Sequence, residues 1–268
     1  MLYLLRLEWK KIRKLTSFRL FSVCYLVLLP AILLTGLRFD ELPPPINSNE
    51  VFFMFPTVWQ YLGYIGNWLC FFFFGFLSIV VVTTEHSYRT MRQNIITGLS
   101  RQQYFLSKFY LIVVVSLLAA LYYALCGFTI GYLNTEAIYW HKVWQNADYI
   151  PRYFLMCFGY MSFGLFLGFM IRRTGIALFL YLAYIMFIEL ILRWGVHLQI
   201  VEHRSMHFYP MNAVEDLVAL PFLEMADEFT SKYGFSIYLQ PWEASITVLV
   251  YSALFLYLAY WRVTRSDL

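Results

Sequence analysis

Charged side chains are scarce in this 268-residue sequence. Asp, Glu, Lys and Arg make up 13% of the residues, whereas hydrophobic residues make up 61% and aromatic residues 21%. A soluble globular domain usually has about 25% charged residues. The composition therefore excludes the soluble class and predicts an integral membrane protein.

The sequence also lacks the motifs of several kinds of catalysis. It has no GxxxxGK followed by Ser or Thr, so we expect that the chain does not bind ATP by itself. It has no HExxH, no GxSxG and no pair of carboxylates within an apolar run. We therefore predict that the chain is not an enzyme and has no cofactor of its own.

Cysteine and histidine patterns give no metal or disulfide framework. The four cysteines all lie in apolar runs, which is typical of small packing residues: Cys24, Cys70, Cys126 and Cys157. His203 and His207 are four residues apart beside Glu202, a spacing that could place ligands on one helical face. Ordinary solvated loop histidines are the alternative that we prefer, so we predict no metal site.

Long apolar runs are the main feature that is present. They predict an all-α protein with six transmembrane helices in one domain over residues 1–268, at about 20–37, 58–84, 104–133, 153–171, 174–193 and 242–261. Residues 1–15 predict an amphipathic helix on the membrane surface, with Leu2, Leu5, Trp9 and Ile12 on its apolar side. Between spans, residues 40–56 predict an exposed loop, 85–103 a polar segment and 195–241 a long external loop.

The distribution of basic residues predicts the orientation. Fourteen of the 20 Lys and Arg residues lie at the two termini, in the segment between spans two and three, and in the turn between spans four and five. Loops that face the cytoplasm carry the excess of Lys and Arg. We therefore expect both termini and residues 85–103 to face the cytoplasm.

The polar segment after span two has a helical pattern. Tyr88, Met91, Ile95 and Leu99 fall on one face of a helix and polar residues on the others. Two interpretations remain open for it: a helix that merely lies in the headgroup layer, or a docking element for a cytoplasmic partner.

Glu189 is a carboxylate inside an apolar run, where an ionisable residue suggests a function. Arg193 lies four residues further on, which is the spacing of an intrahelical ion pair near the membrane interface. The alternative is that Glu189 lines a substrate path.

Three segments together resemble the permeases of ABC type-2 exporters. Their loop after span two has a pattern matched here by Glu85, Thr90, Gly98, Ser100, Arg101 and Lys108. The segment LEWKKIRK, with Glu8 and Lys11, looks like the connecting helix of that family. The segment FYPMNAVEDL, residues 208–217, looks like its external segment before the last span.

The resemblance implies the fold of that family, with an amphipathic N-terminal helix and a cytoplasmic coupling helix that docks on a separate ATPase subunit, which binds ATP and Mg. It implies coupling residues in the loop: Glu85, Arg89, Thr90, Arg92, Gly98, Ser100 and Arg101. It also implies interfacial-helix residues Glu8, Trp9 and Lys11, and a path between two permease subunits, identical or different, with spans two and five at the interface.

The aromatic residues Trp68 and Phe72 of span two, with Glu189, are candidates for lining that path, which predicts an apolar or amphipathic substrate. The expected location is the cytoplasmic membrane, among its lipids, without a role for nucleic acid. Two alternatives remain: a membrane anchor for an ABC-type sensing or resistance complex that transports little, and a secondary transporter.

Overall fold

The computed structural model describes residues 2–36, 49–88, 90–96, 98–219 and 223–265. All regular secondary structure in this part of the chain is helical. The longer helices, in chain order, are α1 (Leu2–Ile12), α2 (Thr16–Thr35), α3 (Val58–Ser87), α4 (Thr90–Ile96), α5 (Arg101–Asn134), α6 (Trp140–Trp144), α7 (Tyr149–Ile171), α8 (Thr174–Ile200), α9 (Pro210–Asp216), α10 (Leu223–Tyr233) and α11 (Pro241–Arg265).

Six of the described helical segments are long and apolar enough to cross a membrane: α2, α3, α5, α6 with α7, α8 and α11. In lipid, a helix satisfies its own backbone hydrogen-bonding groups, so long apolar runs become spanning helices. The predicted class, an all-helical multi-pass membrane protein, and the predicted number of six spans are confirmed.

The spans are packed around α3 and α7. About two thirds of the residues in the apolar windows of these two spans are buried within the chain, whereas only about a fifth are buried in α2, α8 and α11. In a protein that spans a membrane, exposed apolar helix surface faces lipid or another subunit. The helices α3 and α7 therefore form the centre of the bundle, and the other three lie at its edge.

Close approach of α3 and α7 depends on Gly66. A Cβ atom at this glycine would lie 2.3 Å from the hydroxyl oxygen of Tyr153 on α7. That buried tyrosine is held in place, because its hydroxyl lies 2.8 Å from the hydroxyl of Tyr25 and accepts a hydrogen bond from the Cys70 thiol at 3.2 Å. Small residues allow transmembrane helices to pack closely in this way.

Two spans contain π-helical segments, which the sequence did not predict. They are Cys70–Phe74 within α3, and Tyr184–Ile188 and Ile191–His197 within α8. Such segments frequently occur at functional sites. They lie in the two spans that the family resemblance placed beside the transport path.

Several predicted boundaries differ from the structure. Span five continues to Ile200 rather than ending near 193, and the predicted external loop 195–241 folds into a 3₁₀ helix, Arg204–Phe208, followed by α9 and α10. Of the predicted exposed loop 40–56, residues 40–48 lie outside the described part. Its end is not exposed, because Phe53 and Phe55 are buried and the ring of Phe55 occupies the space beside Gly131.

Candidate functional site

Four charged side chains from three helices meet where the predicted cytoplasmic segment joins the bundle. The Nζ atom of Lys108 on α5 lies 2.6 Å from Oε2 of Glu8 on α1 and 2.7 Å from Oε1 of Glu85 near the end of α3. The Nζ atom of Lys11 lies 3.1 Å from Oε1 of Glu8 and 3.2 Å from Oε1 of Glu85. We call these four residues the charge cluster.

The charge cluster is buried on one side and open on the other. Lys108 has 0% of its surface exposed and Glu8 1%, whereas the side chain of Lys11 is 34% exposed. Burying a charge is costly unless it is paired and hydrogen-bonded. Here two ammonium groups balance two carboxylates, and Ser107 donates a further hydrogen bond to Oε1 of Glu8 at 3.1 Å. The cluster therefore fixes α1 against α3 and α5.

The loop between α3 and α5 is shaped by several of the residues predicted for coupling. The hydroxyl of Thr90 donates to the backbone carbonyl of Glu85 at 3.2 Å. Gly98 has a φ of 108°, which favours glycine. Ser100 and Gln103 form a capping box that begins α5, with each side chain bonded to the other residue's backbone N–H. These residues hold α4 in a fixed position between the two spans.

Arg101 connects this loop to the last span. Its Nη1 atom donates to the backbone carbonyl of Thr264 in α11 at 2.8 Å. The structure therefore gives Arg101 an internal contact. Arg89 and the side chain of Arg92, which were also predicted to couple, lie outside the described residues.

Helix α4 presents one face to the bundle and another outward. Met91 is buried, and Ile95 and Leu99 pack against the core. Tyr88 was predicted to share this face but is 74% exposed, because α3 ends at Ser87 and Tyr88 lies in the turn before α4. Ile96 is 77% exposed. Two large side chains, one just before α4 and one at its end, are therefore exposed.

A cleft of about 320 Å³ separates α1 from α4. Its lining includes three members of the charge cluster as well as residues of α4: Glu8, Lys11, Glu85, Thr90, Gln93 and Asn94. Tyr88 also lines this cleft, so its exposed side chain, the cleft and the charge cluster form one continuous region.

The buried side of α1 differs from the predicted apolar stripe. It consists of Leu4, Glu8 and Ile12, whereas Trp9 is exposed. The predicted apolar stripe did not include Glu8. The cation that makes its burial possible, Lys108, is 100 positions away in the sequence.

Glu189 lies at the other end of the bundle, where its carboxylate binds the start of α9. It accepts hydrogen bonds from the backbone N–H groups of Met211 at 3.1 Å and Asn212 at 2.6 Å. A negative charge is favourable at a helix N-terminus, where backbone donors are unpaired. Arg193 instead donates from Nε to the carbonyl of Met206 at 3.2 Å. Glu189 therefore positions α9, a role that the sequence did not predict.

A cavity of about 230 Å³ lies between α3, α8 and α9. Its lining mixes aromatic, polar and charged side chains: Tyr64, Asn67, Trp68, Arg193, Trp194, Glu215 and Asp216. Trp68 is 44% exposed, and Phe72, one helical turn further along α3, is 38% exposed. Of the residues predicted to line a path, Trp68 therefore lines this cavity, whereas Glu189 is buried and does not line it.

Asp216 and His207 are among the titratable groups outside the spans that have shifted pKa values. Burial raises the pKa of Asp216 to about 7, although the backbone N–H of Leu239 and the side chain of Asn212 donate to its carboxylate. Burial lowers the pKa of His207 to about 4, where its imidazole lies among the rings of Phe229 and Phe235. Near neutral pH, Asp216 is therefore partly protonated and His207 is neutral.

The suggested histidine pair does not converge on one point. His207 is buried, whereas His203 is exposed and accepts a hydrogen bond from the backbone N–H of Ser205. Within the described residues, no group of three or more His, Cys, Asp and Glu side chains could hold a metal ion.

Some residues of these sites were missed by sequence reasoning. Ser107 contacts Glu8, as Lys108 does. The only hint of this in the sequence was that Ser107 directly precedes Lys108 within an apolar run. Asn67, which accepts a hydrogen bond from the hydroxyl of Tyr160 at 2.8 Å, and Glu215 gave no local signal.

The six apolar helices, with a buried charge cluster at one end and a polar cavity at the other, define a multi-pass helical membrane protein. The family described as protein of unknown function, DUF2705, matches residues 41–268, and the chain belongs to this family. The matched region contains Glu85 and Lys108 but begins after α1, which carries Glu8 and Lys11. No curated protein matches the chain.

Proposed function

We propose that the chain is the permease subunit of an ATP-driven exporter of the ABC type-2 kind. In this proposal it lies in the cytoplasmic membrane with both termini and α4 in the cytoplasm. One observation carries the proposal: a buried charge cluster joins α1 to the two spans that flank the short helix α4, and Tyr88 before that helix and Ile96 within it are exposed.

The charge cluster ties the two spans that flank α4 to each other and to α1. Glu85 lies five residues before α4 and Lys108 lies on the span that follows it, and both contact Glu8 on α1 or its partner Lys11. A load on α4 would therefore move α1 and the ends of α3 and α5 together, as in a rigid-body transition. In this proposal a separate ATPase subunit, which binds ATP and Mg, supplies that load.

The transport path in this proposal runs along α3 and α8. Trp68 and Phe72 are exposed on α3, and only 22% of the apolar window of α8 is buried within the chain. A second permease subunit, identical or different, would cover these faces. Aromatic side chains beside a cavity with polar groups favour an apolar or amphipathic substrate. Glu189 contributes indirectly, because it holds α9 over the cavity.

The test uses an exposed residue of α4, because Glu85 and Arg101 have internal contacts whose loss would disturb folding. Ile96→Glu introduces a charge at a side chain that is 77% exposed, and Ile200→Glu makes the same change at one that is 75% exposed at the far end of α8. We expect Ile96→Glu to weaken binding to the ATPase by about tenfold or more, as at interface hot spots. Ile200→Glu should bind normally.

The measurements are co-purification of the tagged chain with the ATPase and the ATP hydrolysis of the complex. Normal binding and hydrolysis in Ile96→Glu would contradict docking through α4 and favour a helix that lies in the headgroup layer. Assembly and hydrolysis without transport would favour the anchor of a sensing or resistance complex. Transport that continues without any ATPase would indicate a secondary transporter.

A further inference from the structure

An apolar groove of about 200 Å³ lies on the outer surface of the bundle, apart from both sites described above. It lies between α1, α2 and α5. The hydroxyl of Tyr25 at its base is tied to the backbone of α5 at Ala119 by a hydrogen bond of 3.2 Å. The lining is almost entirely apolar and comprises Trp9, Phe18, Ser22, Tyr25, Leu26, Phe74, Val115, Leu118, Ala119 and Tyr122.

The groove follows the direction of a spanning helix. Its lining residues on α2 extend from Phe18 to Leu26, a distance of about 12 Å at 1.5 Å per residue. Leu26 and Leu118 on its sides are exposed on spanning helices and would face lipid. The shape is therefore a narrow channel that starts at the surface helix α1 and descends into the apolar layer.

Two arginines lie near the end of this groove that is closest to α1. The rings of Trp9 and Phe18 meet there edge to face, with centroids 5.8 Å apart. Arg13 follows Trp9 by four residues, and Arg19 adjoins Phe18. Nε of Arg19 donates to the backbone carbonyl of Arg13 at 2.9 Å, which uses one of its five N–H donors. Both arginines are exposed, and each is close in the chain to Trp9 or Phe18, which line the end of the groove nearest α1.

We propose that this groove binds one anionic phospholipid, with an acyl chain in the channel and the phosphate at Arg13 and Arg19. Charge complementarity selects this occupant. Guanidinium groups bind phosphate in a bidentate manner, and a headgroup without a cation leaves the net charge of the lipid negative. An acyl chain beside Trp9 would hold α1, and with it Glu8 of the charge cluster, against α2. This inference does not depend on an ATPase.

The experiment measures lipid binding to the purified full-length protein in detergent. Phosphatidylglycerol and phosphatidylcholine with the same acyl chains are titrated, and binding is followed by native mass spectrometry and by the melting temperature. We expect tighter binding and a larger rise in melting temperature with phosphatidylglycerol. The double variant Arg13→Gln/Arg19→Gln should lose about thirtyfold in affinity for phosphatidylglycerol and little for phosphatidylcholine.

Matched variants distinguish a specific lipid-binding site from a general attraction of anionic lipids to the basic residues of α1. Lys10→Gln/Lys14→Gln removes the same charge from exposed positions of the same segment that helical spacing places away from Trp9. Ser22→Phe fills the groove, whereas Val27→Phe adds the same ring to an exposed position outside it. The proposal requires that the arginine and groove variants weaken binding and that the other two do not.

Equal binding of the two lipids, or equal losses in the arginine and lysine variants, would overturn the proposal. A protein that forms dimers and loses them in Ser22→Phe would overturn it as well, because a second copy would then occupy the groove. If Ser22→Phe fails to fold, the arginine variants still test the proposal, because they change only exposed side chains.

Discussion

At the scale of single residues, Lys108 is the side chain on which the charge cluster depends most. It is fully buried and is paired with both carboxylates at less than 3 Å. Removal of one partner from a buried ion pair typically costs about 3–5 kcal/mol, because the remaining charge is left without compensation. We therefore expect Lys108→Met to lower the free energy of unfolding by about that amount, measured by denaturation in detergent micelles.

Lys11→Met is the control for this prediction. It removes a cation from the same two carboxylates, but its side chain is 34% exposed and Lys108 remains. Partly exposed ion pairs contribute about 0–1 kcal/mol, so the loss should be small. A second change, Glu8→Gln, should recover part of the stability lost in Lys108→Met. Equal losses in the two single variants would show that Lys108 has no special role.

At the scale of elements, the contact between α3 and α7 depends on the absence of a side chain at Gly66. A methyl group there would overlap the ring of Tyr153, which is stacked on Tyr123 with centroids 4.2 Å apart and has little room to move. Overpacking of a core typically costs about 1–3 kcal/mol. We expect Gly66→Ala to destabilise the protein by this amount and to lower its melting temperature in detergent.

Gly175→Ala provides the comparison, because a Cβ atom there would have no neighbour within 4 Å. It lies in the first turn of α8, where alanine favours the helix over glycine by up to about 1 kcal/mol. The melting temperature of this variant should be unchanged or slightly higher. If Gly66→Ala behaved like Gly175→Ala, the close contact between α3 and α7 would not limit stability.

Helices were the part of the structure that could be predicted from sequence, because long apolar runs leave the backbone no other way to satisfy its polar groups in lipid. The π-helical segments of α3 and α8 could not be predicted, since a π-helix differs from an α-helix in its hydrogen bonds and not in its amino-acid composition. The burial of Glu8 was also hidden. Its partner Lys108, and Glu85, which pairs with the same lysine, are distant in sequence. The resemblance named these positions without showing that they meet.

At the scale of the whole molecule, six spans place both termini on one side of the membrane. In the proposed function that side is the cytoplasm, as the excess of Lys and Arg predicts, and α4 would then lie there too, since two spans separate it from the amino terminus. Single cysteines at exposed positions can test this arrangement: Thr16→Cys and Ile96→Cys on one side, Glu136→Cys and Glu228→Cys on the other.

Each variant is expressed in intact cells and treated with a membrane-impermeant maleimide before and after lysis. Three of the four native cysteines are buried, so a variant with Cys24 changed to serine gives a low background. We expect the cysteines at 136 and 228 to react in intact cells and those at 16 and 96 to react only after lysis. Reaction of the cysteine at 96 in intact cells would place α4 outside. A cytoplasmic ATPase could not then dock on it, whereas the lipid groove beside α1 would remain possible in the opposite leaflet.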